Sequence, residues 1–301
     1  DYTMEQVIAV ARSLRIEHRF RGYIHLKTIP EASPALIEEA GRWADRISIN
    51  IELPTQVALE ELAPEKNLAR TEAAMTEIRE RIDEAKSEAR KNAKAAFAPA
   101  GQSTQMIVGA SDTSDAVILE RATSLYNRQK LRRVYYSAFS PIPDASAKLP
   151  LVAPPLVREH RLYQADWLVR FYGFKAQELT TDAKPDLDLD IDPKLAWALR
   201  NRQLFPVDLN KAPRDLLLRV PGLGTKSVER ILKVRRWHQI RLEHLPRLRI
   251  SVRKVLAFVI VADYNSANLA LDGDQLAQRF APRDRQMDLF TPEPSVITGQ
   301  L

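Results

Sequence analysis

The first 140 residues alternate between segments typical of buried strands and segments typical of helices. Aliphatic and aromatic residues are concentrated in short runs, and a longer amphipathic stretch separates each run from the next. Strands that alternate with helices pair in parallel, because the helical crossover returns the chain to the same end of the sheet. The pattern predicts an α/β fold with about four parallel strands, which are too few for a complete barrel. The predicted strands are residues 22–29, 46–53, 105–110 and 133–139.

Polar side chains lie at the carboxyl ends of two predicted strands. Lys27 lies near the end of the first strand, and Asn50 and Glu52 lie near the end of the second. The carboxyl ends of parallel strands converge on ligand sites in α/β folds, and a buried polar group without a hydrogen bond costs about 1–3 kcal/mol. These three residues are therefore candidates for a ligand site. The alternative is a Lys27–Glu52 ion pair or solvated strand ends, and the pattern alone does not decide between them.

Residues 207–236 have the pattern of two helices joined by a tight turn. The first helix, with Asn210 as its predicted cap, ends at the sequence PGLG. Gly222 and Gly224 can adopt backbone angles that other residues avoid. A second helix with one apolar face then begins at Thr225 or Ser227.

The start of this second helix favours an anion. Its first N–H groups have no partner within the helix, and the helix dipole adds a partial positive charge at the same place. Lys226 and Arg230 add full positive charges beside it. The arrangement is typical of a phosphate-binding turn.

The same residues resemble the helix-hairpin-helix motif of DNA-repair and recombination proteins. The apolar residues Leu217, Leu218 and Val220 precede PGLGTK, and Val228 and Ile231 follow it. The resemblance implies binding of a DNA backbone, independent of sequence, through the amides of the turn. The alternative is an ordinary helix connection, since PGxG sequences also form such turns. The DNA-binding candidates are Gly222, Leu223, Gly224, Thr225, Lys226, Ser227 and Arg230.

Residues 242–261 resemble a degenerate second copy of this segment. The run LEHLPRL is followed by a predicted helix, SVRKVLAFVIV, that starts at Ser251. The copy lacks a GxG sequence, so we expect it to pack as the structural half of a paired unit.

The positive charge of the chain is concentrated around the turn. The net charge is +6, but residues 201–260 contain 14 Lys and Arg against 4 Asp and Glu. That segment therefore carries +10, and the other 241 residues sum to −4. A basic segment that coincides with a phosphate-binding turn is typical of a nucleic-acid interface, whereas a merely solvated basic face has no reason to coincide with it.

The composition excludes several other classes. The chain contains no cysteine, which excludes disulfides and thiolate metal sites within it. No apolar run approaches membrane-spanning length and no signal-peptide pattern opens the sequence, so the cytoplasm is the predicted compartment. The Asp-rich segment 180–192 is predicted to be a turn-and-capping linker. Calcium is rejected there because Ile191 occupies the position where a calcium loop requires glycine.

Several runs of the sequence, taken together, resemble the radical S-adenosylmethionine family of DNA modification and repair proteins. They are DYTMEQVIAVARSLR, FRGYIHLKTIP, ISINIELP, GQSTQMIVGASD and WALRNRQLFPVDLNKAP. The resemblance extends to about Asn265 and implies a partial (β/α) barrel joined to a helix-hairpin-helix domain. The implied domains are the partial barrel at 1–150, a connecting helix and Asp-rich linker at 151–200, the DNA-binding domain at 201–265 and a mobile tail at 266–301.

The family resemblance also implies a cofactor site. It implies S-adenosylmethionine and a 4Fe–4S cluster held by three cysteines, which together generate a 5′-deoxyadenosyl radical. Asn50 and Glu52 match the strand that contacts ribose or substrate in related enzymes. Ile107, Gly109 and Asp112 match the I-x-G-x-x-E pattern that contacts adenine, with Asp in place of Glu. The implied cofactor- or substrate-binding residues are Lys27, Asn50, Glu52, Ile107, Gly109, Asp112, Tyr136 and Ser137.

The chain lacks the cysteines that would hold the cluster. We therefore expect that it begins after the second strand of the barrel and that the cysteine loop lies outside it. The intact protein is expected to be an enzyme, and this chain alone is expected to be inactive.

The tail contains the sequence QMDLF at residues 286–290. It resembles the Q-x-x-L-F peptide by which bacterial repair and replication proteins bind the sliding clamp. The resemblance implies that Leu289 and Phe290 fill an apolar pocket and that Gln286 bonds at its rim.

Three functions remain open from the sequence. The leading one is a radical S-adenosylmethionine enzyme that modifies or repairs DNA or another nucleic acid, which the turn holds. The alternative is a non-catalytic DNA-binding repair adaptor that the sliding clamp recruits. A third is a radical enzyme that acts on a small molecule and uses the turn to contact a protein.

Overall fold

The computed structural model of the protein describes residues 2–89, 96–142 and 146–268. The chain divides into two compact units, Asp1–Leu187 and Asp188–Leu301. None of the described helices is long and apolar enough to cross a membrane.

The first unit contains a four-stranded parallel sheet. The strands are ordered β1-β2-β3-β4, as they are along the chain, so β1 and β4 are its edges. The prediction of four parallel strands in one sheet of an α/β fold is confirmed. The strands are β1 (His25–Lys27), β2 (Arg46–Ser48), β3 (Gln102–Val108) and β4 (Arg133–Ala138).

Helices connect these strands, and local capping residues set several of their ends. Ser33 and Thr55 are N-caps whose hydroxyl oxygens accept hydrogen bonds from the backbone N–H groups three residues later. Gly173 ends a long helix in the left-handed conformation, at a φ of 74°. The helices are α1 (Tyr2–Ile16), α2 (Pro34–Trp43), α3 (Gln56–Leu62), α4 (Leu68–Ala89), α5 (Asp115–Gln129), α6 (Leu156–Tyr172) and α7 (Ala176–Leu179).

Three strands differ from their predicted bounds, and β1 covers only His25–Lys27 of the predicted residues 22–29. β2 ends at Ser48. Further along the chain Glu52, which has a φ of 61°, forms an isolated bridge with Met106. β3 begins at Gln102, three residues earlier than predicted. The amide of Gln102 is buried and donates to two carbonyl oxygens, so a polar residue begins this strand where an apolar pattern does not predict one.

Side chains alternate between the two faces of the sheet. One face is mostly apolar and buried, and Leu26, Ile47, Met106 and Val134 lie on it. The neighbouring positions on the other face are mostly polar, and several of their side chains are exposed or half-buried. Parallel sheets usually have both faces covered, so the polar face is the unusual feature of this unit.

The second unit contains short helices and a small sheet. β5 pairs in parallel with β6, and β6 pairs in antiparallel with β7. Three 3-10 turns lie at Arg202–Leu204, Leu256–Phe258 and Ser266–Asn268. The other elements are α8 (Pro193–Arg200), β5 (Val207–Asp208), α9 (Arg214–Arg219), α10 (Thr225–Val234), α11 (His244–Arg247), α12 (Val252–Val255), β6 (Val259–Val261) and β7 (Tyr264–Asn265).

Two local predictions in this unit are wrong. Asn210 does not cap α9, whose N-cap is Pro213; instead its side chain exchanges hydrogen bonds with the backbone of Ile240. The helix predicted from Ser251 is also much shorter, since α12 is followed by a 3-10 turn and then by β6. The run VIV is β-branched and pairs with β5, which explains why the helical pattern does not continue.

Candidate functional site

The first hairpin, residues 220–224, joins α9 to α10. Leu217 and Leu218 of α9, Leu223 of the turn, and Val228 and Ile231 of α10 are all at most 2% exposed. Leu217, Leu218, Val228 and Ile231 belong to the apolar set that the sequence predicted, whereas the side chain of Leu223, a DNA-binding candidate, is buried among them. They hold the two helices together and leave the tip of the turn on the surface.

Gly222 is favoured by its backbone conformation and required by the space around it. Its φ is +83°, where residues with a side chain are strained. A Cβ atom at this position would lie 2.8 Å from the Cβ of Lys254 and 3.0 Å from the Cγ1 of Val255. The first hairpin therefore packs directly against α12, a contact that the sequence did not predict.

The start of α10 presents unpaired backbone donors. Gly224 is the N-cap, no side chain caps the helix, and its first turn contains no acidic residue. Within the described parts of the chain, no acceptor bonds the N–H groups of Thr225, Lys226 and Ser227. Gly222 and Lys226 are exposed, and Gly224, Thr225 and Ser227 are partly exposed. The arrangement can bind an anion through backbone N–H groups and one ammonium group.

Arg230 has a second role in the unit. It is half-buried, and its Nη1 donates to the carbonyl oxygen of Leu248. Leu248 begins the second hairpin, residues 248–251, which joins α11 to α12. Part of the guanidinium that the sequence assigned to DNA is therefore engaged in holding the second hairpin.

The carboxyl ends of β1 and β2 contain an ion-paired carboxylate. Oε1 of Glu52 lies 3.6 Å from Nζ of Lys27 and 3.2 Å from Nζ of Lys66. The Lys27–Glu52 pair that the sequence left open as an alternative is present, and Lys66 adds a second cation that the strand pattern could not reveal. Both lysines are well exposed, so each pair contributes at most about 1 kcal/mol to stability.

Asn50 and Ile107 lie next to Glu52 at this end of the sheet. Nδ2 of Asn50 donates to Oε1 of Gln105 at 3.2 Å, and the N–H of Ile107 donates to the carbonyl oxygen of Glu52 at 2.7 Å. Ser137 is paired with Ile107 in the register of β3 and β4. The predicted residues Lys27, Asn50, Glu52, Ile107 and Ser137 therefore share the carboxyl end of the sheet.

Gly109 and Asp112 follow β3 in the loop that leaves the sheet. Gly109 has a φ of +80°, and a Cβ there would lie 2.6 Å from Cγ of Pro154. The glycine thus permits close packing of Pro154. Asp112 is exposed and has no hydrogen bond or ion pair among the described residues.

Tyr136 is set apart from the other predicted residues. It is 2% exposed and lies in register with the buried Met106, on the apolar face of the sheet. Its hydroxyl and that of Tyr126 both donate to Oδ1 of Asp166, at 3.2 and 2.6 Å. Burial raises the pKa of Tyr136 and of Asp166. Tyr136 therefore belongs to a buried network on the opposite face from Ser137.

Sequence reasoning missed two neighbouring groups on the polar face. Nε2 of His25 lies 3.4 Å from Oγ of Ser103, and burial together with the nearby Arg46 lowers the pKa of His25. Because side chains alternate along a strand, His25 shares the face of Lys27, and the same alternation would identify Ser103 in a strand that begins at Gln102.

No group of three or more His, Asp or Glu side chains within residues 2–89, 96–142 and 146–268 could hold a metal ion. The thiolates that hold a 4Fe–4S cluster are also absent, because the chain contains no cysteine. The residues of this chain therefore do not fit the cluster. The polar face of the sheet offers amide, carboxylate and hydroxyl groups, which can donate and accept hydrogen bonds.

The clamp-binding candidates Gln286, Leu289 and Phe290 lie outside the described residues.

Comparison with known proteins adds no relative: the chain matches no protein-family model, no curated protein and no solved structure.

Proposed function

We propose that the chain binds the phosphate backbone of duplex DNA through the first hairpin, independently of sequence. The observation that carries this proposal is the exposed start of α10, where backbone N–H groups lack acceptors in the described chain and Lys226 lies beside them. Phosphates are suitable acceptors for such donors, and a backbone contact conveys no information about the base sequence.

The charge distribution supports the proposal. Residues 201–260 carry a net charge of +10, and most of their Lys and Arg side chains are exposed. A surface of this kind attracts DNA and releases its counterions on binding, so affinity falls steeply as the salt concentration rises.

Fluorescence anisotropy with labelled duplexes of unrelated sequence tests this function. We expect equal affinities for the duplexes and a linear fall of log affinity with log salt. Lys226→Ala should reduce the magnitude of the salt slope by about 0.9, the value for one phosphate contact. Lys233→Ala, an exposed charge at the far end of α10, is the matched control and should leave the slope closer to that of the wild type. A slope that Lys226→Ala leaves unchanged would contradict the role of the hairpin.

For the first unit, we propose the finer assignment of a partial barrel from a radical S-adenosylmethionine enzyme of DNA modification or repair. Two observations support it: the four parallel strands follow their chain order, and Asn50, Glu52 and Ile107 lie together at the carboxyl end of the sheet. Bound there, S-adenosylmethionine would be oriented by the Asn50 amide and the Glu52 carboxylate. The cysteines of such an enzyme must lie on polypeptide outside this chain, so no reaction step is assigned to its residues.

Isothermal titration of the chain with S-adenosylmethionine tests this second assignment. We expect binding that Asn50→Ala and Glu52→Gln weaken. Tyr136→Phe is the matched control and should leave the affinity unchanged, because its hydroxyl bonds Asp166 on the opposite face. An absence of binding would remove the cofactor site and leave the DNA-binding proposal intact.

The cysteine-free composition and the QMDLF sequence favour a second candidate, a cytoplasmic DNA-binding adaptor without catalytic activity that the sliding clamp recruits. The test is a binding assay with purified clamp. Leu289→Ala together with Phe290→Ala should abolish the interaction, and unchanged binding would exclude this mode of recruitment.

A further inference from the structure

Lys194 is a buried lysine directly beneath the first hairpin. It lies in the first turn of α8 and is 7% exposed. Its Nζ donates to the carbonyl oxygen of Leu223 at 2.6 Å. A lysine is rarely this buried, because removing its charge from water is costly, so its contact with the turn needs an explanation.

The carbonyl that Lys194 bonds belongs to the same peptide group as the N–H of Gly224. In a planar trans peptide the C=O and N–H bonds point in opposite directions. A cation on the buried side therefore directs the Gly224 N–H away from the interior, and Gly224 lies at the partly exposed start of α10. A hydrogen bond to the carbonyl also polarises the peptide and strengthens its N–H as a donor.

We propose that Lys194 is a positioning residue for phosphate binding: its ammonium orients and polarises the Leu223–Gly224 peptide so that the Gly224 N–H donates to a DNA phosphate. DNA binding is thereby coupled to the protonation of Lys194. This inference rests on the proposed DNA-binding role of the first hairpin. It adds a residue on another helix, remote in sequence, that the hairpin motif does not contain.

The surroundings of Lys194 bring its pKa close to neutral pH. Burial lowers the pKa of Lys194 to about 7; Asp192 at the start of α8 opposes this shift, and Arg219 at the end of α9 adds to it. A bound phosphate favours the ammonium form and raises the pKa. Affinity should therefore be constant below about pH 7 and fall as the pH rises through the pKa of the bound state, by at most about tenfold per pH unit.

The first measurement needs no DNA. The amide resonance of Gly224 in the full chain is followed by NMR from about pH 6 to about pH 8.5. We expect a titration with a midpoint near 7 in the wild type and none in Lys194→Met, which keeps a long apolar side chain without the charge. Lys194→Gln, which keeps a neutral donor, is the second variant if Lys194→Met unfolds. A Gly224 amide that does not titrate would overturn the inference.

The second measurement is the affinity for duplex DNA over the same pH range. We expect that both variants lose the fall in affinity above neutral pH, and that their salt slopes stay at the wild-type value, since a buried lysine displaces no counterions. The wild type and the two variants contain the same histidines, so a difference between their pH profiles is due to Lys194. A variant that retains the wild-type pH profile would overturn the coupling. If the Gly224 amide titrates but the wild type binds no DNA, the proposed function is refuted instead.

Discussion

The two hairpins of the second unit follow a similar backbone path with different residues. Gly222 and Arg249 both lie in the left-handed region, at φ values of 83° and 55°, two residues before an N-cap. The residues that follow them, Leu223 and Ile250, are 2% and 3% exposed. Because an arginine occupies the left-handed position of the second hairpin, conformation alone does not demand the glycine of the first.

Packing explains the difference between the hairpins. Gly222 lies against Lys254 and Val255 of α12, where a Cβ atom has no room. The second hairpin is contacted in turn by α10, whose Arg230 donates to the carbonyl oxygen of Leu248. Each hairpin is thus held by the helix that follows the other. Only the first is followed by a helix of ten residues, since α12 has four. The stronger helix dipole therefore lies behind the first hairpin.

The largest effect is expected from Gly222→Ala. The added methyl group is both overpacked against α12 and held at a positive φ, so the variant should lose about 2–4 kcal/mol of unfolding free energy. Urea denaturation of the full chain, followed by the fluorescence of the second unit's tryptophans, measures the loss. Gly224→Ala is the control: at a φ of −91° it should cost less than about 1 kcal/mol. Equal losses at both positions would show that α12 does not restrict the first hairpin.

The next effect concerns the amide donors of the first hairpin. Thr225→Pro removes one N–H at the first position of α10, where proline is well tolerated and where Gly224 already has the extended conformation that proline requires before it. A hydrogen bond to a charged group contributes about 1.5–3 kcal/mol, so DNA affinity should fall about tenfold or more. Thr225→Ala keeps the N–H and serves as the control. If both variants bind DNA equally, this amide does not contact a phosphate.

Sequence patterns predicted those parts of the fold that depend on local chemistry. The four parallel strands and the apolar residues around the first hairpin follow from periodicity. Asn210 was assigned wrongly because its partner, Ile240, is 30 residues away, and a capping pattern contains no information about such a contact. The strand at Val259–Val261 was missed for a similar reason, since its pairing with β5 outweighs the helical pattern that precedes it.

The candidate sites were predictable to a similar degree. The strand pattern left a Lys27–Glu52 ion pair open as an alternative. Lys66 lies after α3, and nothing in the strand pattern connects it to Glu52. The family resemblance grouped Tyr136 with Ser137, although adjacent residues of a strand point to opposite faces. Lys194 was missed altogether. Its isolated charge within the otherwise apolar first turns of α8 was the available signal, and its partner in the hairpin could be identified only from tertiary structure.

A smaller loss of stability is expected at Arg230, which holds the second hairpin, and almost none at Lys226, which is proposed to bind DNA. Arg230→Met leaves the carbonyl of Leu248 without its charged donor, so we expect a loss of about 1–2 kcal/mol of unfolding free energy. Lys226→Ala removes an exposed side chain and should change stability by less than about 0.5 kcal/mol. Denaturation curves and salt slopes measured on both variants test the distinction. A loss of stability in Lys226→Ala equal to that in Arg230→Met would contradict it.

The smallest effect is expected from the reverse substitution in the second hairpin. Arg249→Gly relieves the strain of a side chain at positive φ, about 1 kcal/mol, but it increases the conformational entropy of the unfolded chain by about as much. The two terms nearly cancel, and the unfolding free energy should change by less than about 0.5 kcal/mol in the same urea assay. A stabilisation as large as the loss in Gly222→Ala would mean that backbone strain distinguishes the hairpins. The expected near-zero change instead assigns the distinction to Lys254 and Val255, which contact the first hairpin.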